Sequence, residues 1–256
     1  MHTKLFSDRA LEWVAHSPAL IEAGAQWPTA AQLVKITPAL KPRGDQCDAE
    51  HYRLLHGLSW LYRCWAKARR HTSQPWLASC VPPEFYSCTE GRGAADAAYD
   101  RAALVENTLI HALHLSGAAG DCVNCYNLAE PPMAFTAGLL LGATPAVVDA
   151  DARFLAHATY TVRYAAGFGD PRTHLRGLGQ GSALAEMWLG CLLYPWCAII
   201  RLLNAIPRVL ADDFGYVAAG PNHLQRTWTC TEHTVRSAVA IGGQLSLAKS
   251  LICMHA

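Results

Sequence analysis

The sequence is short of charge. Asp, Glu, Lys and Arg make up 16% of its 256 residues, and 21 basic side chains stand against 20 acidic ones for a net charge of +1. That balance excludes a global positive field that would draw nucleic acid from a distance, so any polyanionic partner has to be held by local patches. No uninterrupted apolar run reaches membrane-spanning length. The most apolar stretch, Met187 to Ile200 (MWLGCLLYPWCAII), lies between Glu186 and Arg201 and is about half to two-thirds of a span, which suits a buried helix bent at Pro195.

A secretory signal is also missing: the N-terminal MHTKLFSDRALEWVAHS is charged and has no long apolar core. The ten cysteines are therefore expected to be reduced thiols of an intracellular protein, nuclear or cytoplasmic, with no membrane partner. The twelve histidines form no H-E-x-x-H pattern. Cys122 and Cys125 form a C-x-x-C without a second pair at ligand spacing, which leaves a redox pair or half a zinc site as readings without support elsewhere in the chain. There is no internal repeat and no low-complexity tract.

What is present is apolar content. With 52% hydrophobic residues the chain can bury a sizeable core, as one large domain or two closely packed lobes. Residues 1–45 alternate short helical patterns with turns at Pro28, Pro38, Pro42 and Gly44, and QLVKI (32–36) has strand composition. From His51 to His71 apolar residues recur at helical spacing, placing Arg63, Lys67 and Arg70 on one basic face. A long Ala- and Leu-rich helix is expected from Ala94 to Leu115. Further helical patterns cover Ala134–Leu141 and Pro145–Ala158, the strand-like TYTVRYAAGF follows, and residues 182–204 read as the buried helix. IPRVLADDFGYVAAG (206–220) reads as strand, tight turn, strand, and a last helix precedes GGQLSLAKSLIC.

The centre of that hairpin is Asp212-Asp213. An acidic pair in a turn is ordinarily solvated, because Asp favours turns; like charges side by side repel, and become sensible where cations neutralise them. Carboxylates suit hard Mg²⁺, and a site of that kind needs a further acid from elsewhere. Asp121, the only acid in GDCVNCYN, is the candidate, although it also suits a cap or turn after Gly120. GLGQG (177–181) lacks the Lys-Ser/Thr of a P-loop and reads either as an ordinary loop or as a phosphate cradle at a helix N-terminus.

Several segments, in order, resemble those of reverse transcriptases of the non-LTR retrotransposon type. VLADDF (209–214) resembles the YADD hairpin, RGLGQGSAL (176–184) the RGLPQGSPL loop and DCVNCYN (121–127) the DLSKAFD segment. TEGRGAADAAYDRAALVE (89–106) looks like the FRPGRSAADA helix start, YRLLHGLSWLYRCWAKARR (52–70) like the segment beginning RPI, and GGQLSLAKS (242–250) like GLxLNxxKS. The resemblance runs from Trp27 to Ser250. Departures are Leu210 for an aromatic, Gly179 for proline, Asn127 for the closing acid, RLL for RPI, and Gly117–Gly120 (GAAG) where bulky β-formers are expected before Asp121.

The resemblance implies an α+β fold: the fingers (1–110) and palm (111–256) of a right-hand polymerase, an antiparallel palm sheet backed by helices, and the thumb absent or supplied by another chain. It implies RNA-directed DNA polymerase activity, with Asp121, Asp212 and Asp213 catalytic and holding Mg²⁺ or Mn²⁺. Nucleotide-binding residues would be Arg53 and Lys41 at the triphosphate, Tyr126 under the sugar, Gln180 and Gly181 in the pocket, and Lys249 near the nucleotide. Arg63, Lys67 and Arg70 would lie along template phosphates, and the partners would be an RNA template with a DNA primer and dNTP. Two other readings stay open: a catalytically inactive retrotransposon remnant that at most binds nucleic acid, and a small helical membrane-associated or redox protein resting on the 187–200 run and the C-x-x-C.

Overall fold

The computed structural model describes residues 7–42, 44–164, 167–173, 176–246 and 249–255. Positions 165–166 of the expected TYTVRYAAGF strand, positions 247–248 of GGQLSLAKS and the first six residues of the N-terminal segment lie outside the described residues. In chain order the elements are α1 (Asp8–Glu22), β1 (Leu33–Leu40), β2 (Tyr52–Gly57), α2 (Trp60–Thr72), α3 (Gln74–Cys80), α4 (Ala94–Ile110), β3 (Leu115–Asp121), α5 (Cys125–Leu128), α6 (Pro131–Leu140), α7 (Pro145–His157), β4 (Thr159–Tyr164), β5 (Gly167–Phe168), β6 (Arg172–Thr173), α8 (Ala185–Leu202), β7 (Ile206–Leu210), β8 (Asp213–Ala219), α9 (His223–Ala240) and β9 (Leu251–His255).

The chain forms two compact units, interleaved in sequence. The first comprises Met1–Thr72, Gly142–Leu175 and Gly179–Ala185; the second comprises Ser73–Leu141, Arg176–Leu178 and Glu186–Ala256. In the first unit β1 pairs in parallel with β4 (Leu33 opposite Thr159, Ile36 opposite Val162), and that ladder draws a distant stretch of chain back to the N-terminal part.

In the first unit the strand order is β2-β1-β4-β5, with β6 on β4. Val34 and Ile36 alternate inward on β1, as the period of a strand requires. The helix expected from His51 is a correction: Tyr52–Gly57 is a strand, paired antiparallel with β1 from Leu40 opposite Tyr52 to Lys35 opposite Gly57. Its leucines fit a helical period equally well, and a partner strand outside the window decides the matter. Helix α2 begins at Trp60 and buries Tyr62, Trp65 and Ala66 on one face. Trp27, Tyr62, Trp65 and Phe154 form an aromatic core, Tyr62 stacked on Phe154 at 3.7 Å between ring centres.

The second unit is built on an antiparallel sheet of order β7-β8-β3-β9. Phe214, Tyr216 and Ala218 alternate into the core. There Tyr216 donates its hydroxyl to Thr227 O of α9 at 3.0 Å, and Phe214 meets Trp196 of α8 edge-on at 5.3 Å. Helix α8 is long and apolar enough to cross a membrane by length and composition, yet 61% of that window is buried in the protein, as befits a core helix. Helix α4 ends at Ile110, short of the expected Leu115, because Ala112 takes a left-handed φ of 50° and Leu115 is claimed by β3.

The GAAG stretch, which stands where the family resemblance leads one to expect bulky β-formers, sits in a strand paired on both edges, by β8 and by β9. Its first glycine is there for closeness: a Cβ on Gly117 would lie 2.3 Å from Tyr216 O, and one on Gly215 would lie 2.7 Å from Ala118 O. Small residues let β3 and β8 approach where bulky β-formers would collide.

Candidate active site

Strands β7 and β8 are joined by the shortest connection, with Leu210 opposite Asp213 and only Ala211 and Asp212 between. Such a turn demands a left-handed residue, and Ala211 supplies it at φ 55°, a conformation that costs an L-residue about 1–2 kcal/mol. The turn is pinned from outside the hairpin. Ala211 N donates to Ser87 Oγ at 2.8 Å, while the flanking backbone runs beside β7 through Tyr86 N to Val209 O (2.9 Å) and Val209 N to Glu84 O (3.0 Å).

Directly across the next ladder, Asp121 at the end of β3 is opposite Asp213 at the start of β8. Paired cross-strand residues share a face, and like charges there repel. Burial raises the Asp213 carboxyl above its ordinary range, and the charges of Asp212 and Asp121 raise it further against the opposing pull of Lys249. Lys249 Nζ sits 2.6 Å from Asp121 Oδ2, and that bond together with the three acidic charges holds its ammonium above the usual lysine value. Nearby, Ser246 N donates to Asp121 O at 2.8 Å and Lys249 N to Ser246 O at 3.1 Å.

Tyr126 lies on α5, half-buried, its phenol raised by burial and by the negative charges of Glu186 and Asp212. Tyr126 O accepts Leu178 N at 2.8 Å, and Gly177, at φ 95°, lets that backbone approach: a Cβ there would lie 2.9 Å from Tyr126 O. All ten cysteines are free thiols. Cys122 and Cys125 are buried, and a hydrogen bond between them lowers the first thiol and raises the second.

The second unit thus brings together Asp121, Asp212, Asp213, Lys249 and Tyr126. The first unit carries the remaining candidates. Arg53 is exposed on β2 opposite Ala39, and Lys41 follows β1, its N donating to His51 O at 2.8 Å. Arg63 and Lys67 are exposed on α2 with Arg70 half-buried on the same helix. Gln180 is half-buried between Gly179 at φ 68° and Gly181 at φ 101°. Proline cannot adopt Gly179's conformation, so the departure from the RGLPQGSPL pattern has a backbone consequence. Sequence reasoning missed Ser87, for which no local signal exists, and Asp151, an acid on the apolar face of α7 that burial marks out.

Asp121, Asp212 and Asp213 offer only oxygen donors, the kind a hard divalent metal takes, but Asp121 is engaged by Lys249. Among the described residues no group of three or more His, Cys, Asp or Glu side chains is gathered as metal ligands.

No protein-family model matches the sequence, and no curated protein sequence matches it. Solved structures do. Over 97% of this chain it superposes on telomerase from Candida tropicalis in complex with a TWJ fragment of telomeric RNA, with a TM-score of 0.66 at 12% identity. Apo telomerase from the same organism gives a TM-score of 0.63 over 97% of the chain, and the form truncated from the C-terminal domain 0.63 over 96%, both at 11% identity. The fold is that of a right-hand polymerase. It is reverse-transcriptase-like, mixed α and β with an antiparallel sheet that carries Asp121 and Asp213, Asp212 lying in the adjoining turn. The chain spans about half the length of these telomerases, 45%, 49% and 56% respectively.

Proposed function

We propose that the protein is the fingers and palm of an RNA-directed DNA polymerase of the non-LTR retrotransposon type, a nucleotidyltransferase acting inside the cell. The observation that carries this reading is the cross-strand pair Asp121 and Asp213 with Asp212 in the adjoining turn. Three carboxylates are held together at a cost in repulsion, on a polymerase fold, in the order the sequence resemblance implies. Telomerase, a structural relative, holds RNA, which supports a nucleic-acid template.

Asp121, Asp212 and Asp213 would hold Mg²⁺ or Mn²⁺, which when bound offsets charge on the attacking and leaving oxygens of phosphoryl transfer. The protein's own part is positioning. Tyr126 sits beneath the incoming sugar and excludes a 2′-hydroxyl, Gln180 and Gly181 line the nucleotide pocket, Arg53 and Lys41 take the triphosphate, and Lys249 lies near the nucleotide. Arg63, Lys67 and Arg70 follow template phosphates. The partners are an RNA template with a DNA primer and dNTP.

The Lys249 ammonium on Asp121 favours a second reading, a catalytically inactive remnant in which the lysine has taken over the cation's place. Metal-dependent primer extension separates the two: incorporation abolished by Asp212→Asn supports the enzyme, and its absence supports the remnant.

A further inference from the structure

In the first unit a buried acid is connected to the turn that carries Gln180. Asp151, on α7, is 1% exposed. Tyr62, itself fully buried on α2, donates its hydroxyl to Asp151 Oδ1 at 2.7 Å, and the same phenol oxygen lies 2.9 Å from Ser182 Oγ.

A phenol has a single hydrogen. With that hydrogen on Asp151, Ser182 is the donor to the phenol oxygen, and Ser182 Oγ in turn accepts Leu184 N at 3.2 Å. The donors run in one direction, from Leu184 N–H through Ser182 and Tyr62 to the carboxylate. Burial and the charge of Asp151 hold the Tyr62 phenol well above its ordinary value, so it remains a donor. Stacking on Phe154, with the rings 20° from parallel, keeps the hydroxyl from swinging away.

Two features argue that this is more than packing. Burying a carboxylate is costly, and the rest of α7's inward face, Val147, Val148, Phe154 and Leu155, is apolar. The turn it reaches needs an external hold: Gly179 and Gly181 both have positive φ, and glycines impose little conformational preference. Within the turn Ser182 N donates to Gly179 O at 2.8 Å. Its serine side chain ties it to the core.

We propose that Tyr62 and Asp151 are positioning residues that hold the Gly179–Ser182 turn, and with it Gln180, in the conformation that receives the nucleotide. This rests on the nucleotide role proposed above for Gln180.

Tyr62→Phe keeps the stacked ring and removes only the hydroxyl. In the full chain it is expected to raise amide exchange of residues 179–184 about five-fold while leaving residues 188–200 unchanged, the size expected for one lost hydrogen bond. In primer extension it should raise the KM for dNTP about five-fold with kcat within about two-fold. Asp151→Asn, which keeps an acceptor for Tyr62, should retain most of the wild-type behaviour, and Asp151→Leu should reproduce Tyr62→Phe. Unchanged exchange at 179–184, or exchange raised equally throughout the first unit, overturns the proposal. A wild type without Asp212-dependent incorporation overturns the polymerase reading instead, and exchange then decides the positioning alone.

Discussion

Lys249 holds its ammonium 2.6 Å from Asp121 Oδ2, with the lysine side chain 68% exposed and the carboxylate 13% exposed. An exposed surface cation thus neutralises a sheltered acid that a divalent metal would also seek. In the proposed site the two compete.

Lys249→Met should therefore ease metal entry. In a thermal-shift titration the half-saturating Mn²⁺ concentration is expected to fall about two- to five-fold, the scale of an exposed ion pair. An unchanged midpoint would show that lysine and metal do not share Asp121.

Asp213 makes stability depend on pH. Its carboxyl is raised in the folded protein, chiefly by burial and then by Asp212 and Asp121. Folding therefore favours its protonated form, and this contribution is present below the unfolded aspartate value near about 4 and is lost as pH rises through the raised folded value. Asp213→Asn should match wild type in acid and exceed its Tm by about 1–2 °C at neutral pH. A variant less stable than wild type at pH 7 would contradict this.

The close approach of β3 and β8 makes neighbouring glycines unequal. A Cβ on Gly117 would meet Tyr216 O at 2.3 Å, whereas one on Gly120 would meet only side chains of Leu245 and Phe214 at 3.4 Å and beyond. Gly117→Ala should cost about 1–3 kcal/mol in urea unfolding, and Gly120→Ala less than about 0.5 kcal/mol. Equal effects would refute the steric reading.

Much of this arrangement was legible in the sequence. Alternating β-formers around Asp212-Asp213 announced the hairpin, and the apolar stretch from Met187 announced a core helix. What stayed hidden depends on partners distant in the chain. Arg53 sits in a strand because β1 pairs with it, although its leucines also fit a helix. Asp121 ends a strand poor in β-formers because β8 and β9 hold it from both sides. Gly179 shows that a familiar loop sequence can differ in backbone where one residue changes.

Ser87 belongs to the hidden class, since only the folded chain brings its hydroxyl to Ala211 N. Ser87→Ala should cost about 1 kcal/mol of stability and, by loosening the turn that carries Asp212, lower turnover in primer extension about ten-fold with little change in KM. Full turnover in a folded variant would show that the hairpin positions Asp212 unaided.

The most direct measurement is extension of an oligo(dT) primer on an RNA template with Mg²⁺ or Mn²⁺, comparing the purified chain with its folded Asp212→Asn variant. A working palm predicts metal-dependent incorporation by the wild type that the substitution abolishes. Equal background from both proteins would contradict polymerase activity and leave a fold that has kept its acids without their chemistry.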